Sequence, residues 1–383
     1  MRLLPEIGNG ALAGRVWRHD AGGPAVVTVR GDRLIDITSR KFPTMRDLLE
    51  TDDPAAFVRQ TKGEDLGSVE DIAIASFEPA AEDTTRLLAP CDLQAIKACG
   101  VTFARSMIER VIEERAAGDP ARAQEIRKRV GAIIGDSLRN LVPGSEEASR
   151  VKAALIEEGL WSQYLEVGIG PDAEVFSKAQ PMSSVGWGAS VGLHPISNWN
   201  NPEPEIVLAV DSKGRVKGAT LGNDVNLRDV EGRSALLLGK AKDNNASSAI
   251  GPFIRLFDDG FRIDDLRRAE LELTVEGTDS FVLKGQSSMK EISRDPLDLV
   301  RQTIGGHHQY PDGFMLYLGT LFAPVEDRDV EGEGFTHKTG DIVSISTPAL
   351  GTLMNTVRLA TECPPWSFGA AALMKNLARR GLL

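Results

Sequence analysis

The sequence has 383 residues, more than twice the roughly 150 residues of a typical domain, so we expect one large or two unequal domains with an ample core. With 42% hydrophobic and 26% charged residues it has an ordinary globular composition, and no apolar run reaches the ~20 residues that a membrane span requires. The net charge of −11, without a basic stripe, argues against a nucleic-acid partner and favours a small-molecule ligand.

The cysteines and the first residues of the sequence indicate the expected cellular compartment. The three cysteines, Cys91, Cys99 and Cys363, form no CxxC pair and have no histidine cluster beside them, which argues against a disulfide framework or a zinc site. The first residues lack the basic, apolar and small-residue series of a secretory signal. The default expectation is therefore a cytoplasmic protein.

The front of the chain favours strands. From Ala13 to Thr38 apolar and polar residues alternate around Gly31-Asp32, which predicts a β-hairpin. Residues 43–60 have helical spacing, and residues 69–79 (VEDIAIASFEP) suggest a strand. We therefore predict a small N-terminal α+β domain over residues 1–87 and a larger domain over residues 88–383.

A helical segment interrupts the larger domain at about residues 104–165. Its apolar residues recur every three or four positions with charged residues on the opposite face, which predicts two or three amphipathic helices. Such an excursion serves either as a lid or oligomer contact, or as a surface layer. After residue 170 short strands dominate, including a hairpin at Lys213-Gly214, and one more helix is predicted at 294–304.

Three carboxylates are spaced so that they can converge. Glu203 and Glu205 stand two residues apart at the start of an apolar strand, so both leave the same face. The hairpin that follows brings Asp224 back towards the start of that strand. Like charges this close repel one another unless a cation neutralises them, and oxygen ligands suit Mg²⁺, Mn²⁺ or Ca²⁺. The alternative is a solvated strand edge.

The order of short motifs around these acids is distinctive. Along the chain come FxK, ExE, GNDxxxRD, a lysine about ten residues before Gly251-Pro252, and GDIVSISTP near the C-terminus. Each motif alone is weak, but their combination over roughly residues 98–355 resembles the fumarylacetoacetate hydrolase superfamily.

This resemblance implies an α+β fold and a set of site residues. The implied core is a mixed β-sandwich or β-roll, carried by a homodimer or homotetramer, with Mg²⁺ as the expected cofactor bound by the three acids. A 2-oxo acid chelated by the metal is the implied ligand. The other residues carried over, or placed in the loop beside them, are Lys242 over the substrate, Arg228 and Thr347 at its carboxylate, Lys178 of the FxK segment, and Ser183 and Ser184 near sugar hydroxyls.

One departure from the family pattern separates its branches. Ser106 stands where hydrolytic members carry the histidine that activates water, and Glu109 alone does not replace an imidazole base. Glu174, just ahead of the FxK segment, instead resembles the glutamate of the 2-keto-3-deoxy-pentonate dehydratase branch. In that branch the glutamate and the lysine, here Lys242, carry out the proton transfers.

The implied activity is therefore dehydration of 2-keto-3-deoxy-D-xylonate or an arabinonate epimer. The product would be 2,5-dioxopentanoate, the semialdehyde of 2-oxoglutarate, in non-phosphorylative pentose catabolism. Two alternatives stay open at this point. One is hydrolysis of an acylpyruvate or decarboxylation of an oxaloacetate-like compound at the same metal site, and the other is a metal-dependent binding protein without catalysis.

Overall fold

Two β-sheets and ten α-helices form the fold in the part of the chain that the structure describes. The computed structural model describes residues 3–6, 10–77, 83–103, 107, 125–126, 128–129, 141–159, 162–322, 324, 326–329 and 334–383. The strands are β1 (Leu12–Arg18), β2 (Gly23–Arg30), β3 (Arg33–Asp36), β4 (Glu64–Ser68), β5 (Arg86–Leu88), β6 (Ala95–Gly100), β7 (Glu174–Ala179), β8 (Ser190–Leu193), β9 (Pro204–Val210), β10 (Val216–Asp224), β11 (Ser248–Leu256), β12 (Glu270–Glu276), β13 (Val282–Ser288), β14 (Phe314–Tyr317), β15 (Ile342–Thr347) and β16 (Gly351–Leu359).

The helices lie mostly between and outside the strands. They are α1 (Met45–Leu49), α2 (Pro54–Gln60), α3 (Val69–Ala75), α4 (Glu146–Glu157), α5 (Gln163–Ile169), α6 (Arg228–Glu231), α7 (Leu238–Lys242), α8 (Ile263–Leu266), α9 (Pro296–Thr303) and α10 (Ala370–Arg379). Within the described ranges, no helix combines the length and the apolar character needed to cross a membrane.

The larger sheet has the strand order β4-β3-β2-β1-β11-β10-β9-β14-β6-β7, with β5 paired to β1. Most neighbours are antiparallel, while β14 and β6 run parallel. The central strand β9 is buried along its whole length, as its run Ile206–Val210 predicts for a strand covered on both faces. This sheet positions the residues of the candidate site.

The second sheet has the order β13-β12-β15-β16-β8 and packs on the first. Strands β12, β15 and β16 contact β9, β10 and β11. The shared core contains Leu208, Leu221, Phe253, Leu273 and Ile345, all buried. Two mixed sheets facing one another with helices outside give the α+β sandwich that the family resemblance predicts, so the predicted fold class is confirmed.

The N-terminal strands belong to the larger sheet. Strand β1 pairs antiparallel with β11, with Leu12 opposite Arg255, and with β5 further along the same edge, while its other edge carries β2. Hydrogen bonds of one sheet therefore join residues on both sides of the predicted boundary near residue 88. That boundary stays a prediction.

Several local predictions agree with the structure. The Gly31-Asp32 turn connects β2 and β3, and the Lys213-Gly214 turn connects β9 and β10, where Gly214 has a φ of +76° that suits glycine. Thr44 caps α1 by accepting a hydrogen bond from the Asp47 amide. Helix α9 lies within the predicted 294–304 segment.

The strand predicted over residues 69–79 is wrong, because residues 69–75 form the helix α3. Ser68 caps the helix by accepting from the Asp71 amide, and Glu70 and Asp71 occupy its first turn, where negative charge is favoured. The buried residues Val69, Ile72 and Ala73 are spaced for one helical face. The β-branched residues concealed this spacing.

The predicted helical segment of residues 104–165 is described only in part. Helix α4 and the start of α5 lie in it, with Leu155 and Leu165 buried in a small cluster of their own. Most of residues 104–140, including Ser106 and Glu109, lies outside the described residues.

Candidate active site and metal centre

Five neighbouring strands of the larger sheet begin or end at the same end of the sheet, and the candidate site lies there. Strand β9 is antiparallel to β10 and β14, so its start lies beside their ends, which places Glu205 next to Asp224 and Gly319. Strand β6 is parallel to β14 and antiparallel to β7, so Gly100 at the end of β6 pairs with Glu174 at the start of β7. Strand pairing thus gathers residues far apart in sequence.

The three predicted metal ligands form a compact buried group. One carboxylate oxygen from each of Glu203, Glu205 and Asp224 lies within 4.8 Å of the other two. The Asp224 amide donates to the Glu203 carbonyl over 3.1 Å, and the Gly319 amide donates to Oε2 of Glu205 over 2.7 Å. The backbone therefore fixes the positions of these side chains.

Two lysines compensate part of this negative charge. The Lys242 ammonium contacts Oε2 of Glu203 at 2.5 Å and Oδ2 of Asp224 at 3.2 Å. Lys178, which has no solvent exposure, contacts Oδ1 of Asp224 at 2.8 Å and donates to the Val225 carbonyl over 3.2 Å. Lys178 thus contacts Asp224, one of the three candidate metal ligands.

Burial and crowding perturb the pKa values of these groups. Burial raises the pKa of Glu205 well above its usual range, and the charges of Asp224 and Glu203 raise it further. Burial also raises the pKa of Glu203, against the opposing effect of Lys242. For Lys242, burial favours a lower pKa, but Asp224 and Glu203 outweigh it and raise the pKa above its ordinary value.

The residues present fit a divalent cation. Acidic side chains dominate the described wall of the cavity above the triad, where Lys242 is the one basic residue. The candidate ligand group itself consists of three buried carboxylates, and oxygen ligands of this kind suit a hard cation such as Mg²⁺. The acidic members of the wall are Glu174, Glu203, Glu205, Asp224 and Glu231.

Glu174 also lines this cavity and is the first residue of β7, an edge strand of the larger sheet. A Cβ atom at Gly100 would come within 2.0 Å of Oε2 of Glu174, so a larger residue there would displace the carboxyl group from this position. Burial, with the charges of Glu205 and Glu174, raises the pKa of the neighbouring Cys99 thiol. Cys99 is thus kept protonated and is not a candidate nucleophile.

A second cavity adjoins the first and shares two of its wall residues, Glu174 and Glu231. Helix α5 contributes Gln163 and Tyr164 to its wall, and Leu238 of α7 lies on another side. The described end of the helical excursion therefore borders the site.

The structure places the other predicted substrate-binding residues away from the described wall. The Arg228 guanidinium lies over the Trp199 ring at 4.1 Å. Thr347 is buried at the end of β15 in the second sheet. Ser183 donates to the Gln180 carbonyl, and the Ser184 hydroxyl lies 2.8 Å from that of Ser248. Their roles stay predictions.

Sequence reasoning missed several residues of the site. Asn226 and Glu231 lie just after Asp224, and Phe176 follows Glu174 on β7. The helical spacing between Arg228 and Glu231 was the available signal for Glu231.

The part of the chain that contains the acidic triad is similar to a known protein family. Residues 181–358 match the family model described as "Fumarylacetoacetate (FAA) hydrolase C-terminal". By this match, residues 181–358 form a domain of the fumarylacetoacetate hydrolase type. The matched range contains the three acids, Lys242 and Thr347, whereas Glu174 and Lys178 lie just before it.

Two curated proteins are similar over about half of this chain. A "Probable 2-keto-3-deoxyxylonate dehydratase" of Haloferax volcanii is 29% identical over 201 residues, which is 52% of this chain and 65% of that protein. A "2-dehydro-3-deoxy-D-arabinonate dehydratase" of Saccharolobus solfataricus is 29% identical over 185 residues, 48% of this chain and 58% of that protein. The chain thus spans less than two thirds of either relative.

Solved structures share the fold over nearly the whole chain. A "2-keto-3-deoxy-D-arabinonate dehydratase complexed with magnesium and 2,5-dioxopentanoate" aligns with a TM-score of 0.63 at 19% identity, covering 91% of this chain and 99% of that one. At this identity the likeness establishes the fold alone.

Proposed function

We propose that this protein is a metal-dependent dehydratase of a 2-keto-3-deoxy sugar acid, with a pentonate such as the D-xylonate or an arabinonate as substrate. The observation that carries the proposal is that Glu174, Lys242 and the acidic triad line one cavity. The names of both curated relatives support the same reaction class.

The triad is proposed to hold Mg²⁺, with Mn²⁺ or Ca²⁺ as other ions of suitable hardness. When bound, such an ion acts as a Lewis acid towards a chelating 2-oxo acid, which makes the hydrogens on carbon 3 more acidic. The buried carboxylates Glu203, Glu205 and Asp224 offer the oxygen ligands. Lys178 supports the site by its ion pair with Asp224.

Glu174 and Lys242 divide the proton transfers between them. Glu174, at the cavity wall, is the proposed base that removes a proton from carbon 3. Lys242, whose ammonium group contacts Glu203 and Asp224 at the cavity wall, is the proposed donor of a proton to the departing hydroxyl on carbon 4. The two groups thereby remove one molecule of water.

The remaining steps conserve carbon. Loss of the carbon 3 proton and the carbon 4 hydroxyl gives an unsaturated 2-oxo acid, which isomerises to the enol at carbons 4 and 5. Tautomerisation of that enol gives the aldehyde of 2,5-dioxopentanoate. Arg228 and Thr347 are proposed to hold the substrate carboxylate, and Ser183 and Ser184 its hydroxyls, once substrate is bound.

A single product analysis tests the proposal against its rivals. The protein with Mg²⁺ is incubated with a small panel of 2-keto-3-deoxy sugar acids, an acylpyruvate and oxaloacetate, and the products are identified by mass spectrometry. Dehydration yields a five-carbon aldehyde acid from a pentonate. Two acids from the acylpyruvate would indicate a hydrolase, CO₂ from oxaloacetate a decarboxylase, and no product from any compound a binding protein.

The resemblance also supports a homo-oligomer, and a homodimer or homotetramer is proposed. Analytical ultracentrifugation at micromolar concentration tests this, and a sedimenting species of monomer mass, 41.3 kDa, would contradict it.

A further inference from the structure

Asn226 is a buried residue outside the acidic triad that donates a hydrogen bond to one candidate metal ligand, Glu203. Its Nδ2 donates to Oε1 of Glu203 over 3.1 Å and to Oε2 of Glu231 over 2.7 Å. The residue is 1% exposed, and both of its amide protons are directed at carboxylate oxygens. This places one amide group between two acids.

The chemistry of the partners determines how this amide is oriented. Ionised carboxylates only accept hydrogen bonds, so the nitrogen of Asn226 must face Glu203 and Glu231. Hydrogen bonds to a charged acceptor are about twice as strong as neutral ones. The backbone adds rigidity, because the amides of Asn226 and Asn201 each donate to the other's carbonyl over 3.1 Å.

The Glu203 carboxylate is thereby fixed at both oxygens. Asn226 contacts Oε1, and the Lys242 ammonium contacts Oε2 at 2.5 Å. Each carboxylate oxygen has two lone pairs, so both contacts leave acceptor capacity for a cation. A carboxylate held in one orientation loses less freedom on binding a metal than one that rotates.

We infer that Asn226 is a positioning residue that orients Glu203 for the cation, and that Glu231 holds the Asn226 amide in place. This inference rests on the proposed metal centre and deepens it. Neither residue belongs to the acidic triad. We call the two hydrogen bonds, from Asn226 to Glu231 and from Asn226 to Glu203, the relay, and the metal affinity of the triad depends on it.

The test measures Mn²⁺ binding to the substrate-free protein by titration calorimetry. Asn226→Leu keeps a similar volume and removes both donors, and it should weaken Mn²⁺ affinity by about 10- to 100-fold, as loss of an outer contact of a metal ligand typically does. If the leucine variant does not fold, as judged by circular dichroism, Asn226→Ala takes its place with the same expectation.

A matched control separates positioning from general packing. Asn376 is also 1% exposed, and its Nδ2 donates to two acceptors, the carbonyls of Ala21 and Gly22, but it lies on α10. Asn376→Leu should lower the thermal midpoint as Asn226→Leu does, yet leave Mn²⁺ affinity within twofold of the wild type.

The relay is tested by combining variants. Glu231→Leu alone should weaken Mn²⁺ binding, whereas the same change made in the Asn226→Leu protein should weaken it clearly less, since the amide it anchors is gone and only the charge of Glu231 near Glu203 is lost. Additive effects of the two changes would overturn the relay, and an Asn226→Leu affinity within twofold of the wild type would overturn the positioning role.

The outcome also distinguishes this inference from the proposed function. Wild-type protein that binds Mn²⁺ but dehydrates no sugar acid would contradict the dehydratase, while the affinities of the variants would still support the relay. Wild-type protein that binds no Mn²⁺ at millimolar concentration would overturn both the metal centre and this inference.

Discussion

Replacing Glu205 by glutamine should stabilise the metal-free protein at neutral pH and abolish its stabilisation by divalent cations. Glu205 is 2% exposed, and both burial and the charges of Asp224 and Glu203 raise its pKa. The amide has nearly the same shape, its carbonyl can still accept from the Gly319 amide, and it carries no charge. The substitution therefore removes the electrostatic cost and one metal ligand together.

The magnitude follows from the linkage between protonation and folding. Each unit by which folding raises the pKa of a carboxyl group costs about 1.4 kcal/mol of stability at neutral pH. Because folding raises the pKa of Glu205, we expect the metal-free variant to be more stable than the wild type at neutral pH. Mg²⁺ at ~1,000 times its dissociation constant should stabilise the wild type by about 4.1 kcal/mol and the variant by far less.

The sign of the pH dependence is also fixed. The ordinary pKa of 4.5 applies to Glu205 in the unfolded chain. At a pH well below this value the carboxyl group is protonated in both the folded and the unfolded state, so wild type and variant should be equally stable. As the pH rises above this value the unfolded state ionises first, which favours unfolding of the wild type. The advantage of the variant should therefore grow with pH and level off above the folded-state pKa.

Urea denaturation of both proteins in EDTA and in MgCl₂, from acidic to neutral pH, measures these differences. Glu272→Gln, an exposed change on β12, is the control and should alter none of them. A Glu205→Gln protein that is less stable than the wild type in EDTA at neutral pH would refute the electrostatic reasoning. Equal stabilisation of both proteins by Mg²⁺ would refute the ligand assignment.

Three further changes test the other roles. Glu174→Gln should lower turnover of a 2-keto-3-deoxy pentonate by about 10²- to 10⁴-fold, as expected for a lost general base, whereas Ser106→Ala should keep a large part of it. Lys242→Met should lose turnover to a similar extent while calorimetry still detects Mn²⁺ binding, because methionine fills the volume without a proton to donate. Lys178→Met should lower the free energy of unfolding in urea by about 3 to 5 kcal/mol, since it leaves Asp224 buried without that partner.

Each of these changes has a result that would contradict it. Equal damage from the Ser106 and Glu174 changes would reopen the acylpyruvate hydrolase alternative. Normal turnover by Lys242→Met would exclude the lysine as proton donor. A Lys178→Met protein as stable as the wild type would show that the ion pair with Asp224 does not contribute to stability.

Local patterns in the sequence were sufficient for part of the fold. The turns at Gly31-Asp32 and Lys213-Gly214 and the cap at Thr44 depend on residues within a few positions of one another, so the sequence predicts them directly. Residues 69–75 were misassigned because Val69 and Ile72 favour strands intrinsically, while the Ser68 cap and packing against the core favour a helix.

The sequence by itself also determined the acidic triad. Glu203, Glu205 and Asp224 lie on one hairpin, whose register follows from a short turn, so their convergence is a local property. For Glu174 the sequence offered only the family resemblance, and the tertiary structure decided that Glu174 and Gly319 lie beside the triad, because this depends on the pairing of β6, β7, β9 and β14, strands separated by long stretches of chain. Such pairing is set by the packing of the whole core and leaves no periodic signal in the residues concerned.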